Sequence, residues 1–340
     1  MLSLIAFLVA AAATPRPAEL RTFQDWTVAC DNGLACEAVA LLPENGEADS
    51  DWSGWTTLMI RRGAGPGDRP VLLLQNVDGE PAALLADDRP LAVRFSGDVD
   101  GFTVHGDESA LVETLRGASR LEVRDAAGSN LGRVSLAGAS AAMLYMDEKQ
   151  RRLGTVTALV QRGSRPATAV PAPPAVPQVR RSPAATDRAP AISEALVAQL
   201  RTQSECDPPD ALGSQPIETE QIATGTTLVL VPCMRGAYNF SALPVIAERR
   251  GGRLTARIAP FDSQWAIRSN GQPILVNASW DPDERRLHEY SKGRGLGDCG
   301  TRAEYVWDGT SFRLVRQEEM GECRGSLYYV TTWRAETIGP

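Results

Sequence analysis

A proline- and alanine-rich stretch constrains the fold of this chain most strongly. It covers residues 162–191 and reads RGSRPATAVPAPPAVPQVRRSPAATDRAPA, without an aromatic residue. Such a composition buries too little apolar surface to offset the conformational entropy that folding removes. We therefore predict a disordered, partly polyproline linker over residues 163–192. It divides the chain into an N-terminal domain over residues 20–162 and a C-terminal domain over residues 193–340.

Six cysteines lie on the two sides of this segment. Two precede it and four follow it: Cys30, Cys36, Cys206, Cys233, Cys299 and Cys323. A zinc site would need closely spaced pairs of cysteines or nearby histidines, and the chain has only two histidines. The domain division reduces the number of pairings to consider. We predict the disulfides Cys30–Cys36, Cys206–Cys233 and Cys299–Cys323, which are typical of an oxidising compartment.

The N-terminus has the features of an export signal. It reads MLSLIAFLVAAAATP, in which an apolar run over residues 2–9 leads into small residues at 10–13. This order is typical of a secretory signal peptide, which we place at residues 1–14. The run is too short to cross a bilayer, and we predict no membrane span after its removal. The formal net charge of −7 disfavours nucleic acid and anionic membranes as partners.

Strand patterns dominate the N-terminal domain. FQDWTVAC alternates, Asn32-Gly33 interrupts it, and the strand pattern resumes in LACEAVALL, which predicts a hairpin. Cys30 and Cys36 flank this turn and can face each other across it. Further strands are predicted at TTLMIRR, PVLLLQN, LAVRF, FTVH, RLEVRD and LGRVSL.

Two segments of this domain follow a helical period instead. DESALVETLRGAS predicts a helix with Asp107 or Ser109 as its N-cap and Gly117 at its end. GASAAMLYMDEKQRRLG predicts a second helix, with an apolar face within residues 142–146 and Gly154 at its end.

The C-terminal domain begins with one predicted helix, ISEALVAQLRTQS, capped by Ser193. Short strand candidates follow, separated by turn residues: TTLVLVPC, YNFS, LPVIAER, RLTARIAPF, PILVNASW, RRLHEYS, RAEYVWD, SFRLVRQ and LYYVTTW. Asp281-Pro282 and Asp308-Gly309 predict two of the turns. We therefore predict a mainly β fold with a few helices, in two antiparallel β-rich domains. The pattern leaves a sandwich, a barrel and a meander open.

The segment KGRGLGDCG, residues 292–300, is the best candidate for a binding site. Its glycines suit positive backbone φ angles, and its cysteine suits a disulfide, so the context favours a structural turn. Such a turn does not require the charged residues that cluster in and just after it: Lys292, Arg294, Asp298 and Arg302. We predict that these four side chains form an anion-binding loop.

Catalytic motifs are missing from the sequence. His105 and His288 are the only histidines, and no G-x-S-x-G motif accompanies them. The glycines of residues 292–300 do not match a nucleotide-binding loop, and the acidic clusters lack the spacing of a calcium loop. We therefore predict no metal and no cofactor, and we identify no catalytic residue.

Three stretches carry a family resemblance. They are FQDWTVACDNGLACEA near the start, VSLAGASAAMLYMDEKQRRLGTVTALVQRG before the linker, and KGRGLGDCGTRAEYVWDGTSFRL with GECRG near the end. In this order they resemble the secreted bacterial family known as domain of unknown function 1176. The stretch LVETLRGASRLEVRDAAGSNLGRVSLAGASAAM also resembles the invasion-associated locus B proteins. These resemblances imply a β-rich periplasmic or envelope protein of a Gram-negative bacterium, and they imply no activity.

The functional expectation follows from these features together. The absence of a catalytic constellation favours a periplasmic or envelope binding or interaction protein over an enzyme. Its expected partner is an unknown envelope protein or an acidic ligand, which two tethered modules would engage bivalently. The first alternative is an envelope hydrolase that acts on glycan or peptide through carboxylates that the sequence does not identify. A third interpretation is a stress-related structural protein with no small ligand.

Overall fold

The computed structural model describes residues 14–44, 56–98, 101–250, 253–263 and 271–339. It is mainly β, as the sequence predicted, with several antiparallel sheets and, in these ranges, four α-helices. The predicted signal peptide lies outside the described residues except for Thr14.

The N-terminal half holds eleven strands and two helices in its described residues. In chain order they are β1 (Arg21–Phe23), β2 (Trp26–Cys30), β3 (Cys36–Ala40), β4 (Thr57–Arg62), β5 (Val71–Gln75), β6 (Ala83–Ala86), β7 (Arg89–Pro90), β8 (Val93–Asp98), β9 (Gly101–Gly106), α1 (Glu108–Gly117), β10 (Arg120–Arg124), β11 (Asn130–Ser135) and α2 (Ala139–Lys149). Seven strands form one sheet in the order β1-β2-β3-β4-β5-β9-β8, and a second sheet has the order β11-β10-β6-β7. The predicted hairpin is β2–β3, in which Cys30 pairs with Cys36.

The remaining elements begin within the predicted linker. They are β12 (Gln178–Arg180), α3 (Glu194–Gln203), α4 (Pro209–Leu212), β13 (Glu218–Ala223), β14 (Thr226–Arg235), β15 (Phe240–Arg250), β16 (Arg253–Ile258), β17 (Leu275–Val276), β18 (Ser279–Asp281), β19 (Arg286–Lys292), β20 (Gly300–Trp307), β21 (Phe312–Met320), β22 (Val330–Arg334) and β23 (Glu336–Ile338). Strands β13 to β16 form one sheet in chain order, with β17 beside β15. Strands β18 to β22 form a second sheet in chain order, which is a meander.

Helices α1, α2 and α3 begin where the sequence predicted, but α2 ends earlier, and α4 is a second helix where the C-terminal domain was predicted to have one. Asp107 caps α1, since its carboxylate accepts a hydrogen bond from the Ala110 N–H at 2.8 Å. The predicted apolar face of α2 is buried in the core beside Trp26. Helix α2 ends at Lys149 rather than at Gly154. The chain leaves the helix there because Arg151 adopts a positive φ of 56° and Arg152 turns into the interior.

A buried ion pair joins the last turn of α2 to the end of β4. The Arg62 Nη2 atom lies 2.8 Å from the Asp147 Oδ1 atom, and both side chains are fully inaccessible to solvent. The Asp147 carboxylate also accepts hydrogen bonds from the backbone N–H groups of Leu159 and Val160 at 2.8–2.9 Å. Every strong hydrogen-bond acceptor of this buried carboxylate is thus engaged, as buried charge requires.

The predicted linker differs from a disordered segment. It contains a short 3-10 helix, Ala167–Ala169, and strand β12, which pairs in parallel with β23. Residues 178–180 contain no proline and therefore keep the backbone donors that strand pairing needs. Val179 is buried against Val306 and Val315. The division of the chain into two domains stays a prediction.

The two halves of the chain also meet through side chains. One apolar cluster combines residues of both halves: Ala29, Val39, Leu41, Met59, Cys299, Met320, Tyr329 and Val330. Arg324 donates hydrogen bonds to the carbonyl groups of Leu42 and Gln24 and pairs with Asp25. The β2–β3 hairpin is thereby packed against the C-terminal segment, and the linker is not the only connection between the halves.

Candidate functional site

The KGRGLGDCG segment forms the connection between β19 and β20. The Gly293 N–H donates to the Cys299 carbonyl group at 2.8 Å, which closes the base of the loop. Gly300 has a φ of 132°, and a Cβ atom there would lie 2.0 Å from the carbonyl oxygen of Ser291. The disulfide Cys299–Cys323 holds the loop against the segment before β22. The structure also contains the disulfides Cys30–Cys36 and Cys206–Cys233, so all three pairings are those that the sequence predicted.

Two of the four predicted anion-binding residues bind each other. The Arg294 guanidinium donates to both carboxylate oxygens of Asp298 at 2.7 and 2.6 Å. Burial would raise the pKa of Asp298, but the hydrogen bonds from Arg294 and the Gly325 N–H outweigh it and leave the pKa below its usual value. This pair ties the loop to the segment that follows Cys323. The opposite charges of Arg294 and Asp298 therefore stabilise the turn and neutralise each other.

Arg302 has a different environment, since its guanidinium lies against two adjacent tyrosine rings. Its guanidinium carbon lies 4.7 Å from the ring centroid of Tyr290 and 4.2 Å from that of Tyr329. Within the described part of the chain, no carboxylate forms an ion pair with this guanidinium. The Tyr290 ring also has a second cationic neighbour, since the Lys292 ammonium lies 5.5 Å from its centroid. Cation–π attraction to the two rings holds the guanidinium near them and uses none of its N–H donors.

Arg302 also lines a cavity of about 280 Å³. The cavity lies along β18 to β21, and its walls are Asn277, Ser279, His288, Glu289, Tyr290, Arg302, Ala303, Glu304 and Glu318. Strand pairing sets Arg302 between Tyr290 and Glu318 in one row across the sheet. Of the four predicted residues, only Arg302 reaches this cavity.

Two of the acidic residues in the cavity wall have arginine partners. Arg316 donates to Glu318 at 2.9 and 2.6 Å, and Arg286 pairs with Glu304. Burial raises the pKa of Glu318, and the positive charge of Arg316 opposes this only in part. Arg302 forms no ion pair with a described carboxylate, although its positive charge also opposes the raised pKa of Glu318, which lies opposite it in the sheet.

A neighbouring cavity of about 300 Å³ lies where the two halves meet. Arg286 and Arg316 line it, while their carboxylate partners line the first cavity. Arg61 and Glu37 from the N-terminal half complete part of its wall. The two cavities are therefore separated by ion pairs, and residues of both halves come close to the candidate site.

Glu289 is the residue of this region that sequence reasoning missed. The Tyr305 hydroxyl and the Val276 N–H each donate to its carboxylate at 3.3 Å. Burial raises the pKa of Glu289 to about 7, against the lowering effect of these hydrogen bonds. Strand alternation in RLHEYS puts Glu289 on the same side as the buried Leu287. The signal in the sequence that could have found Glu289 is a charged residue at a core-facing position of a predicted strand.

We expect Glu289 to make folding stability depend on pH. Between the ordinary pKa of 4.5 and the folded pKa of about 7, the folded state binds more protons than the unfolded state. The contribution of this group is therefore complete below pH 4.5 and declines as the pH rises through 7. Urea unfolding of Glu289→Gln from pH 4.5 to 8 should show a smaller decline than the wild type. An unchanged decline would contradict the assignment, and exposed Glu113→Gln serves as the control.

The histidines do not form a catalytic triad in the described residues. The Nε2 atom of His105 lies 2.6 Å from the Oγ atom of Ser96 on an exposed strand pair. No described carboxylate forms an ion pair with His105 that could orient its ring. His288 lines the cavity, 3.9 Å from a carboxylate oxygen of Glu284.

A family profile described as "Protein of unknown function (DUF1176)" matches residues 20–338. The chain belongs to this family. This DUF1176 protein is 29% identical over 352 residues to the uncharacterized protein YpfG of Escherichia coli (strain K12), with 92% of each chain covered. The family resemblance seen in the sequence is thus confirmed.

One solved structure is partly similar to the DUF1176 protein. It is the crystal structure of invasion associated protein B from Bartonella henselae, at 15% identity and a TM-score of 0.27. The similarity covers 39% of this chain and 99% of that one. Its name matches the second family that the sequence resembles.

Features of the DUF1176 protein fit an exported chain. The described cysteines are all in disulfides, and the family match begins at residue 20, after the predicted signal segment. No helix in the described ranges has both the length and the apolar character to cross a membrane.

Proposed function

We propose that this protein is a periplasmic binding protein whose ligand carries a carboxylate held by Arg302. The observation that carries the proposal is the guanidinium of Arg302, which lies against two tyrosine rings, lines a cavity and has no ion-pair partner among the described residues. A guanidinium edge offers paired N–H donors whose geometry matches a carboxylate. The cavity of about 280 Å³ admits only a small ligand or the end of a larger one.

The carboxylate preference can be tested with a matched pair of probes. N-acetylalanine carries the charged group, and its amide has nearly the same shape without the charge. Titration calorimetry should detect the acid and find weaker binding of the amide. Because a charge-assisted hydrogen bond contributes about 1.5–3 kcal/mol, Arg302→Gln should weaken binding of the acid by roughly 10- to 100-fold.

Arg69→Gln is the control, since Arg69 is exposed and lies on the other half of the chain. It should bind the acid as the wild type does. Equal binding of acid and amide, or unchanged binding by Arg302→Gln, would contradict the proposal. The absence of binding of the acid at millimolar concentration would contradict it as well.

A second candidate function is an envelope hydrolase that acts on glycan or peptide. Glu304 and Glu318 line the cavity from one face of the sheet, and the presence of these two carboxylates supports it. Glu289 also contributes to the cavity wall, although its side chain lies on the core-facing side of the strand. The pKa of Glu289, raised to about 7 by burial, suits a proton donor, while Glu304 is paired with Arg286. Incubation with purified cell-wall glycan should release reducing ends or free amines, and Glu289→Gln should stop the release.

A further inference from the structure

We propose that the β18–β19 hairpin binds a divalent transition-metal cation through Asp281, Glu284 and His288. One ligand atom from each side chain can be chosen so that all three atoms lie within 4.8 Å of one another. The sequence predicted no metal, because its cysteine spacing does not fit a zinc site and its acidic clusters lack the spacing of a calcium loop. The hairpin brings these positions together across its two strands.

The local fold explains how the three side chains meet. Asp281 ends β18 and pairs with Arg286, while His288 on β19 pairs with Ser279. Glu284 lies in the turn between the strands. The Asp281 Oδ1 atom accepts hydrogen bonds from the turn N–H groups of Asp283 and Glu284 at 2.8 and 2.9 Å. These bonds fix the Asp281 carboxylate and leave its second oxygen for a cation.

The distances require only a small adjustment. Metal–ligand bonds of about 2.1 Å in tetrahedral geometry place two ligand atoms about 3.4 Å apart. The His288 Nε2 atom lies 3.9 Å from the nearest Glu284 carboxylate oxygen, too far for a hydrogen bond between them. The Glu284 side chain is 57% exposed and can rotate toward a cation.

Arg286 is the competing positive charge beside this group. Its Nε atom lies 3.9 Å from Glu284, whereas its Nη1 atom is in close contact with Glu304. Glu304 therefore engages Arg286 more strongly than Glu284 does. A cation would replace a weak contact of Glu284 and leave the stronger pair intact.

The ligand set indicates the class of metal. One imidazole nitrogen with two carboxylates suits Zn²⁺, Co²⁺, Ni²⁺ or Mn²⁺, whereas Ca²⁺ and Mg²⁺ favour oxygen ligands alone. Three protein ligands leave a coordination position for water or a small ligand. Because His288 and Ser279 also line the Arg302 cavity, the cation would lie at its rim. This inference does not depend on the carboxylate preference proposed for Arg302.

The test uses the whole chain, without an affinity tag, and Zn²⁺ as the probe. The chain has only two histidines, so His105→Ala is a matched control for His288→Ala. Calorimetry should show one Zn²⁺ site that His288→Ala weakens at least 10-fold and His105→Ala leaves unchanged. Asp281→Asn should weaken it too while keeping the acceptor that the turn needs.

A spectrum of the wild type makes the test independent of the variants' folding. In an ¹⁵N-resolved spectrum of the two histidine rings, Zn²⁺ should shift the His288 signals, and Co²⁺ should broaden them before those of His105. No Zn²⁺ binding at 1 mM, or equal binding by wild type and His288→Ala, would overturn the proposal. Equal shifts of both rings would overturn it as well.

Discussion

Asp147→Ala is expected to lower the free energy of unfolding by about 3–5 kcal/mol, the cost of removing one partner of a buried ion pair. The substitution leaves the Arg62 guanidinium without its counter-ion at a site where neither side chain is accessible. Burial already lowers the pKa of Arg62 to about 10, although the charge of Asp147 raises it. The N–H groups of Leu159 and Val160 also lose their acceptor.

Chemical unfolding measured by circular dichroism checks this value. Glu113→Gln is the control, because Glu113 forms an exposed pair with Arg116 and its side chain is 76% accessible. Exposed pairs contribute about 0–1 kcal/mol, so the control should remain close to the wild type. If the free energy of unfolding fell by the same small amount in both variants, the buried pair would not contribute the stability that its geometry indicates.

Removing the Cys299–Cys323 disulfide is expected to destabilise the protein by about 3.5 kcal/mol in the chain-entropy model. The two cysteines are separated by 24 residues, so their bond restricts a long loop of the unfolded chain. The bond also lies next to Arg324, whose guanidinium holds the β2–β3 hairpin through the carbonyl groups of Leu42 and Gln24. Loss of the bond should therefore weaken the contact between the two halves.

The measurement compares two double variants in the same denaturant series. Cys30→Ala with Cys36→Ala removes a bond that spans a separation of only six residues and should cost about 2 kcal/mol. Limited proteolysis should cut Cys299→Ala/Cys323→Ala between its halves faster than the control. Equal stability of the two variants would contradict the loop-length argument.

Local patterns in the sequence predicted most of the elements. The Asn32-Gly33 turn, the α1 cap at Asp107 and the meander of β18 to β22 each depend on neighbouring residues and turn chemistry. YNFS and LPVIAER were predicted as separate strands, but the structure joins them in β15. Pro244 lies within that strand opposite Leu230, although proline usually disfavours strand interiors.

Contacts between distant residues could not be predicted in the same way. Strand β12 forms only because β23 lies beside it, and nothing within residues 178–180 indicates that partner. In the candidate site, Arg302 was predicted from the sequence, whereas its contacts with the rings of Tyr290 and Tyr329 were not. Arg294 and Asp298 were grouped with Arg302 by proximity in sequence, while the structure pairs them with each other.

The contact between Arg324 and Asp25 has a consequence for the order in which the chain folds. The two residues are separated by 299 positions, so the β2–β3 hairpin leaves the ribosome long before its partner exists. At about 5–20 residues per second, this delay is on the order of 15–60 s. During that time Val39 and Met59 have no C-terminal residues to cover them. The nascent N-terminal half therefore exposes an apolar surface that a holding chaperone would protect. Chains truncated before the C-terminal segment should be prone to aggregation.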